Sequence, residues 1–201
     1  MKLRGPKTKI ARRLGIALTP KSAKYLDRRP YPPGQHGQTR KPGKQSNYKR
    51  QLLEKQKLRA QYNVGERQLA NYFERATAIP GSPVGALVQL LETRLDALVL
   101  RAGFARTIFA ARQYVRHGHI LVNGKRVTVP GYQVEPGDVI TLAERSRQVP
   151  QIVEAIRAAA RPPGYLEVDA EAFRARLREL PTPDQVPIQC QLPLVIEFYS
   201  R

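Results

Sequence analysis

Residues 107–128 read TIFAARQYVRHGHILVNGKRVT, and this stretch decides the fold. Asn123-Gly124 separates two short runs, His119-Ile120-Leu121-Val122 and Lys125-Arg126-Val127-Thr128. A tight hairpin turn of type I′ needs positive φ at both central positions, which Asn and Gly tolerate, so a β-hairpin is expected here. Ahead of it, Thr107 can cap a helix in which Ala111 and Val115 point inward and Arg112 and Arg116 lie one turn apart. Gly118 can end that helix in the left-handed region.

Working outward, Ser82-Pro83 is a helix start, with Ser as cap and Pro at the first helical position. The row Leu87, Leu91, Leu95, Leu98 then recurs at three or four residue steps, predicting one helix that runs to Gly103. Arg94 and Arg101 share a face of it, so the two helices are expected to expose four arginines. Beyond the hairpin, Val129 and Val134 bracket Pro130-Gly131, Glu135-Pro136-Gly137-Asp138 makes a turn, and Val139 to Leu142 supplies a strand. Residues 92–147 thus read as helix, helix, hairpin, turn and strand, with nine basic and five acidic groups. The wide, shallow minor groove of A-form RNA suits such a patch. Arg94, Arg101, Arg112, Arg116, Lys125 and Arg126 are the candidate phosphate donors, and Gln113 and Asn123 the candidate contacts to 2′-hydroxyls. Ordinary solvated charge is the competing reading.

The charge is regional. The chain carries +19 over 201 residues, yet residues 1–60 hold 18 Lys/Arg against Asp27 and Glu54, while residues 61–201 hold 17 basic and 14 acidic groups. A surplus of this size implies an anionic partner, nucleic acid first. Six prolines and five glycines, Gly43 among them, argue against long helix or central strand in the first stretch, so residues 1–45 are expected to form a basic extended arm that hugs RNA. A disordered basic tail is the alternative in the free protein. Within it, Arg28-Arg29-Pro30-Tyr31-Pro32-Pro33-Gly34-Gln35-His36-Gly37-Gln38 suggests a type II turn at Pro33-Gly34. Tyr31 and His36 could stack on an unpaired base while Arg12, Arg13, Arg28 and Arg29 reach phosphates; a proline-rich turn packed on the fold explains the same residues.

From Ser46 a basic amphipathic helix is expected over Lys49 to Tyr62, with Tyr48, Leu52, Leu53, Gln56 and Ala60 near helical spacing and Lys49, Arg50, Lys55, Lys57 and Arg59 as RNA-facing cations. Gly65-Glu66 opens another helix to about Thr77, its stripe of Leu69, Tyr72, Phe73 and Ala76 read as packing. Toward the end come a helix near Gln151 to Ala160, a break at Pro162-Pro163-Gly164, and strands at Tyr165 to Val168, Phe173 to Leu180 and Leu194 to Tyr199. This near-neutral part is read as scaffold and protein-contact surface.

Glu92 to Gly137 resembles the RNA-binding domain named after the fourth protein of the small ribosomal subunit. The resemblance rests on Arg94-Leu95-Asp96, Gly103, Thr107, Ala111-Arg112-Gln113, Val115, Gly118, Val122-Asn123-Gly124, Val127, Pro130, Val134 and Gly137-Asp138. Pseudouridine synthases and tyrosyl-tRNA synthetases share that domain, so the flanks decide. Arg29 to Gln38, Glu54-Lys55-Gln56-Lys57-Leu58-Arg59, Gly65-Glu66-Arg67-Gln68 and Val195-Ile196-Glu197-Phe198-Tyr199-Ser200-Arg201 are similar to the bacterial ribosomal protein family itself. The resemblance implies an α+β fold, mostly helical, with a discontinuous first domain at 46–91 completed by about 185–201. A small α/β domain of two helices on a short antiparallel sheet at 92–147 would follow, extended by 148–184. It implies a cytoplasmic structural constituent of the ribosome, a primary binder of small-subunit ribosomal RNA that nucleates assembly at a multi-helix junction. It also implies contact with the fifth small-subunit protein tied to decoding accuracy, a place near messenger RNA where it enters the ribosome, and, in some bacteria, repression of its own message.

Two departures matter. Family members often carry N-terminal cysteines suited to a metal, whereas here the potential ligands are His36, His117, His119 and Cys190, too scattered for a site; neither metal nor cofactor is expected. Ile108 stands where the domain usually has an arginine, and Arg106 is the candidate substitute. One cysteine excludes an intramolecular disulfide, and no stretch approaches the roughly 18 apolar residues of a membrane span, so no membrane partner is expected. An organellar address is the minority reading of the basic start. An enzyme would need a phosphate-cradling loop, a metal cluster or a nucleophile constellation, which the chain lacks. A free-standing RNA chaperone or DNA-compacting protein would share the charge but not the full motif pattern.

Overall fold

A computed structural model describes residues 5–39 and 45–200. Residues 1–4 and 40–44, which belong to the expected arm and include Gly43, and residue 201 of the closing motif lie outside the described residues. The chain divides into two compact units, Met1–Val84 with Ile188–Arg201, and Gly85–Pro187. The fold is α+β.

In the first unit, the expected extended arm is corrected by two helices, α1 (Lys7–Leu14) and α2 (Pro20–Arg28). The prolines that argue against helix stand where helices accept them. Pro6 is the N-cap of α1 and Pro20 opens α2, behind a reciprocal cap between Thr19 and Ser22. Gly15 ends α1 at φ 71°. Ala11, Leu14, Ile16 and Leu18 are buried, so the segment contributes to the core of this unit.

Ser46 caps α3 (Asn47–Gln61), and α4 (Glu66–Ala78) follows, burying Leu69, Tyr72 and Ala76 as its spacing requires. The buried face of α3 is another correction: it is Gln51, Lys55, Leu58 and Ala60, whereas Tyr48 is exposed and Leu52 and Leu53 are half-buried. The C-terminal segment expected as a strand is helix instead, α9 (Leu192–Tyr199), with Pro193 in its first turn. A short, almost wholly apolar run fits a strand or a buried helix equally well by periodicity. Packing on α3 decides, with Val195 buried, Phe198 against Tyr48 at 5.8 Å and Tyr199 stacked on Phe73 at 5.1 Å.

Helix α5 (Pro83–Glu92), which enters the second unit at Gly85, and α6 (Leu95–Arg101) take the place of the single helix expected to Gly103. The break is a change of partners. Arg94 adopts ψ 138° and bridges Gln133, while the N–H groups of Leu95 and Asp96 donate to the carbonyls of Tyr132 and Pro130 at 2.9 and 3.1 Å. Val134 N–H donates back to the Thr93 carbonyl at 2.9 Å. The leucine row continues across the break because both helices present it to one core, where Leu87, Leu91, Leu95 and Leu98 are all fully buried.

Thr107 caps α7 (Ile108–Arg116), and Gly118 (φ 72°) leads into β1 (Ile120–Val122). Asn123 and Gly124 take φ 50° and 76°, the paired left-handed conformations of the expected turn, and β2 (Lys125–Arg126) returns against β1. With β3 (Val139–Leu142), β4 (Leu166–Asp169) and β5 (Arg174–Leu177) this makes an antiparallel sheet in the order β2-β1-β3-β5-β4. A 3-10 turn (Glu144–Ser146) and α8 (Pro150–Arg157) connect β3 to β4. Ile120, Val122, Ile140, Leu142, Ala175 and Leu177 alternate inward to the core.

Arg94 and Asp96 are both fully buried, joined by Nε–Oδ1 and Nη2–Oδ2 hydrogen bonds of 3.0 and 2.7 Å. Removing one partner would leave a charge in the core, so Asp96→Ala is expected to cost about 3–5 kcal/mol. Urea unfolding followed by circular dichroism measures this; a loss below about 1 kcal/mol would show that the pair is not what holds the break.

Candidate nucleic-acid interface

The expected RNA-contacting cations separate into those tied to carboxylates or carbonyls inside each unit and those turned outward. In the second unit Arg94 is not a surface donor; it is buried on Asp96. Arg112 reaches the same carboxylate with Nη1 at 3.3 Å and is mostly covered. Burial pushes the Asp96 carboxyl up against the opposing pull of Arg94 and Arg112. Arg101 donates from Nε and Nη2 to the fully buried Glu92, the latter at 2.7 Å, and Tyr165 donates its hydroxyl to the same carboxylate at 3.2 Å. Burial, with the Glu92 charge next, holds the Tyr165 phenol far above its usual range, so it stays a donor.

The expectation of four exposed helix arginines is therefore corrected. Arg116 is exposed; Arg94 is buried and Arg101 and Arg112 are largely covered. Asn123 is exposed too, but its amide is committed to the turn, donating to Asp138 Oδ1 at 2.7 Å and accepting from Val139 N–H at 2.9 Å. Arg106 is exposed and pairs with Glu154 at 2.7 Å, while Ile108, at the position usually held by arginine, is buried. What remains on the surface is Gln113 and Arg116, one turn apart on α7, with Lys125 and Arg126 on β2.

The first unit divides its cations the same way. Lys55 is buried, with Nζ 2.6 Å from Glu66 and 4.0 Å from the centre of the Phe198 ring. Arg59 donates to the other Glu66 oxygen at 3.1 Å and to the Val64 carbonyl, Lys57 pairs with Glu54 at 2.7 Å, and Tyr199 donates to Glu66 at 3.0 Å. Lys55 and Arg59 thus tie α3 to Glu66 at the start of α4, Lys57 is paired within α3, and none of the three forms an open basic face. Arg12 donates to the carbonyls of Arg29, Tyr31 and Pro32 at 3.2, 3.1 and 3.3 Å and lies over the half-buried Tyr31 ring. It fastens the proline-rich bend, in which Gly34 takes φ 114°.

Arg13, Arg28, Arg29, His36, Lys49 and Arg50 are exposed. Lys21 and Lys24, also exposed, share a face of α2 with Arg28 at three and four residue steps. That spacing was readable in the sequence once α2 was taken as a helix. Cys190 is half-buried, and burial followed by the Glu54 charge pushes its thiol up to about 12, so it is no nucleophile at neutral pH. Among the described residues no group of three or more His, Cys, Asp or Glu side chains could hold a metal ion, and no helix is long and apolar enough to cross a membrane.

Residues 2–92 match the family described as Ribosomal protein S4/S9 N-terminal domain, and residues 93–140 match the S4 domain. A Streptomyces avermitilis protein named small ribosomal subunit protein uS4 is 52% identical over 200 residues, covering 98% of this chain and 97% of the relative. Proteins of the same name from Micrococcus luteus and Chlorobium limicola are 51% and 45% identical, covering 95% and 100% of this chain and 94% and 99% of theirs.

The Glu66 cluster sets a pH dependence. Burial alone would raise its carboxyl, but hydrogen bonds from Lys55 and Tyr199 and the charges of Lys55 and Arg59 outweigh that and hold it below its usual 4.5. A depressed carboxyl contributes stability above its unfolded value, and the contribution is lost as pH falls through the folded value. Glu66 is partly exposed and its pairs are screened by solvent, so Glu66→Gln is expected to lower Tm by only roughly 2–4 °C at neutral pH and to shrink the further fall in Tm between about pH 5 and pH 3. Thermal unfolding at both pH values checks this; an identical acid profile in the variant would remove Glu66 as the cause.

Proposed function

The chain belongs to the uS4 family of small ribosomal subunit proteins, and on that premise we propose that its outward cations bind small-subunit ribosomal RNA in the assembled particle. It is a structural, non-catalytic constituent of the small subunit, cytoplasmic in bacteria. The observation that carries the RNA reading is that Gln113, Arg116, Lys125 and Arg126 stay exposed on one helix and the hairpin that follows it, in a domain in which the neighbouring arginines are held by buried carboxylates. These side chains are mounted on rigid elements, as a shape reader of A-form RNA requires.

The exposed Arg13, Lys21, Lys24, Arg28, Arg29, Lys49 and Arg50 add phosphate contacts that raise affinity without choosing a sequence. His36 is the exposed ring best suited to stack on an unpaired base. The family resemblance carries the reading further, to early docking at a multi-helix junction, to contact with the fifth small-subunit protein tied to decoding accuracy, to a place beside incoming messenger RNA, and to repression of its own message. The near-balanced charge of the C-terminal part, from the helix near Gln151 onward, suits the protein contact, since a surface without large net charge can approach another protein without strong repulsion.

Filter binding of the whole chain to small-subunit ribosomal RNA, its junction fragment and an unrelated duplex across a salt series tests the reading. Tight, junction-selective binding at physiological salt is expected. Arg116→Gln and Arg126→Gln should each weaken binding and lower the slope of log affinity on log salt by about one. Equal binding to all three RNAs, vanishing together as salt rises, would make the chain a general RNA chaperone instead.

A further inference from the structure

The turn from α7 into β1 brings together, around the Arg126 already named, His117, His119 and Arg145, which the RNA-facing set above does not include. His117 and His119 have ring centres 6.1 Å apart, and the edge of Tyr114 meets the His119 ring at 5.8 Å. Between them Gly118 has φ +72°, and a Cβ there would fall 2.1 Å from Arg126 Nε, so the missing side chain is what lets the β2 arginine lie across the turn. From a third side, the 3-10 turn supplies Arg145 and Ser146. The buried Ser146 hydroxyl is 2.8 Å from His119 Nδ1, and Ala143 N–H donates to the His119 carbonyl at 3.0 Å. With Nδ1 engaged, Nε2 is the ring nitrogen left for a ligand.

The charges acting on His119 are all positive. Burial first, then His117, Arg145 and Arg126, hold the ring below its ordinary 6.5. Glu144, the acid of the same 3-10 turn, is exposed, as are His117, Arg126 and Arg145. Cations gathered on rigid elements repel one another until an anion lies among them.

We propose that His117, His119, Arg126 and Arg145 form a seat for one phosphate of the bound RNA, and that the His119 imidazole takes up a proton as the phosphate arrives. The inference rests on the RNA-binding reading and adds a specific subsite and a pH dependence to it. In the free protein, partial burial and the surrounding positive charges disfavour the protonated form of His119. A phosphate beside it reverses the sign of the local field and raises its proton affinity. Binding is then linked to proton uptake: affinity climbs as pH falls through the value in the complex and levels off below the value in the free protein.

The test is filter binding of the whole chain to small-subunit ribosomal RNA between about pH 5.5 and pH 8, with calorimetry in two buffers of different ionisation heat to count protons. The native chain is expected to gain roughly tenfold in affinity toward low pH, equivalent to a one-unit rise in the imidazole pKa, with net proton uptake. In His119→Gln the gain should shrink; titration of the RNA itself is common to both chains and cancels in the comparison. Should that variant misfold, His119→Asn, whose amide can keep the hydrogen bond to Ser146, serves in its place. Arg145→Gln, also at an exposed position, should lower the salt slope by about one. Native-like pH profiles in the histidine variants, with an unchanged salt slope in Arg145→Gln, would overturn the seat and leave RNA binding standing. A native chain that does not bind the RNA would overturn both.

Discussion

The buried ion pair between Arg94 and Asp96 is the constraint around which the second unit is arranged. A charge moved out of water must be matched by an opposite charge and by hydrogen bonds to its remaining atoms, or it destabilises the core by several kcal/mol. Asp96 meets that demand with Arg94 and Arg112, and its position in the first turn of α6 adds the favourable end of the helix dipole. Arg94 in turn can lie in the core only because the chain leaves the helix there. The break between α5 and α6, the return of residues 130–134 and the approach of α7 all meet around this pair.

That constraint also determines the outer surface. Glu92 and Asp96 are both buried, and together they engage Arg94, Arg101 and Arg112. In the first unit Glu66 and Glu54 engage Lys55, Arg59 and Lys57. These acids are placed inside or against the fold rather than among the exposed cations of α7 and β2, so they neutralise lysines and arginines that hold the structure together and leave Arg116, Lys125 and Arg126 turned outward. A basic protein can in this way be internally neutral and externally positive, and net charge alone does not report the difference.

The periodic and conformational features were legible in the sequence. Asn123-Gly124 demanded left-handed φ at both positions, Thr107 and Gly118 bounded α7, and the leucine row marked the core, because each depends on residues within one or two turns. The fates of the arginines were not legible in the same way. Whether Arg101 faces solvent depends on Glu92 nine positions back and on Tyr165 far along the chain, and Arg112 depends on Asp96 sixteen positions away. Helical spacing places such residues on a face but does not say which face is covered. The same gap explains α9, whose apolar run becomes a helix because α3 and α4 offer a surface for it, and Lys55, which reads as a solvated cation until Phe198 and Glu66 close over it.

The N-terminal segment shows how much of its order is owed to packing. α1 and α2 have eight and nine residues, below the length at which a helix persists alone in water, and both carry clustered positive charge. They are retained because Ala11, Leu14, Ile16 and Leu18 are buried and because Arg12 donates to three carbonyls of the proline-rich bend. Against this stands the mutual repulsion of the exposed Arg13, Lys21, Lys24, Arg28 and Arg29. Phosphates placed among those cations would remove the repulsion without disturbing the buried contacts. Ordering of the segment and neutralisation of its charge are therefore thermodynamically linked: whatever binds the cations stabilises the helices, and whatever loosens Ala11 or Leu14 weakens the grip on the anion.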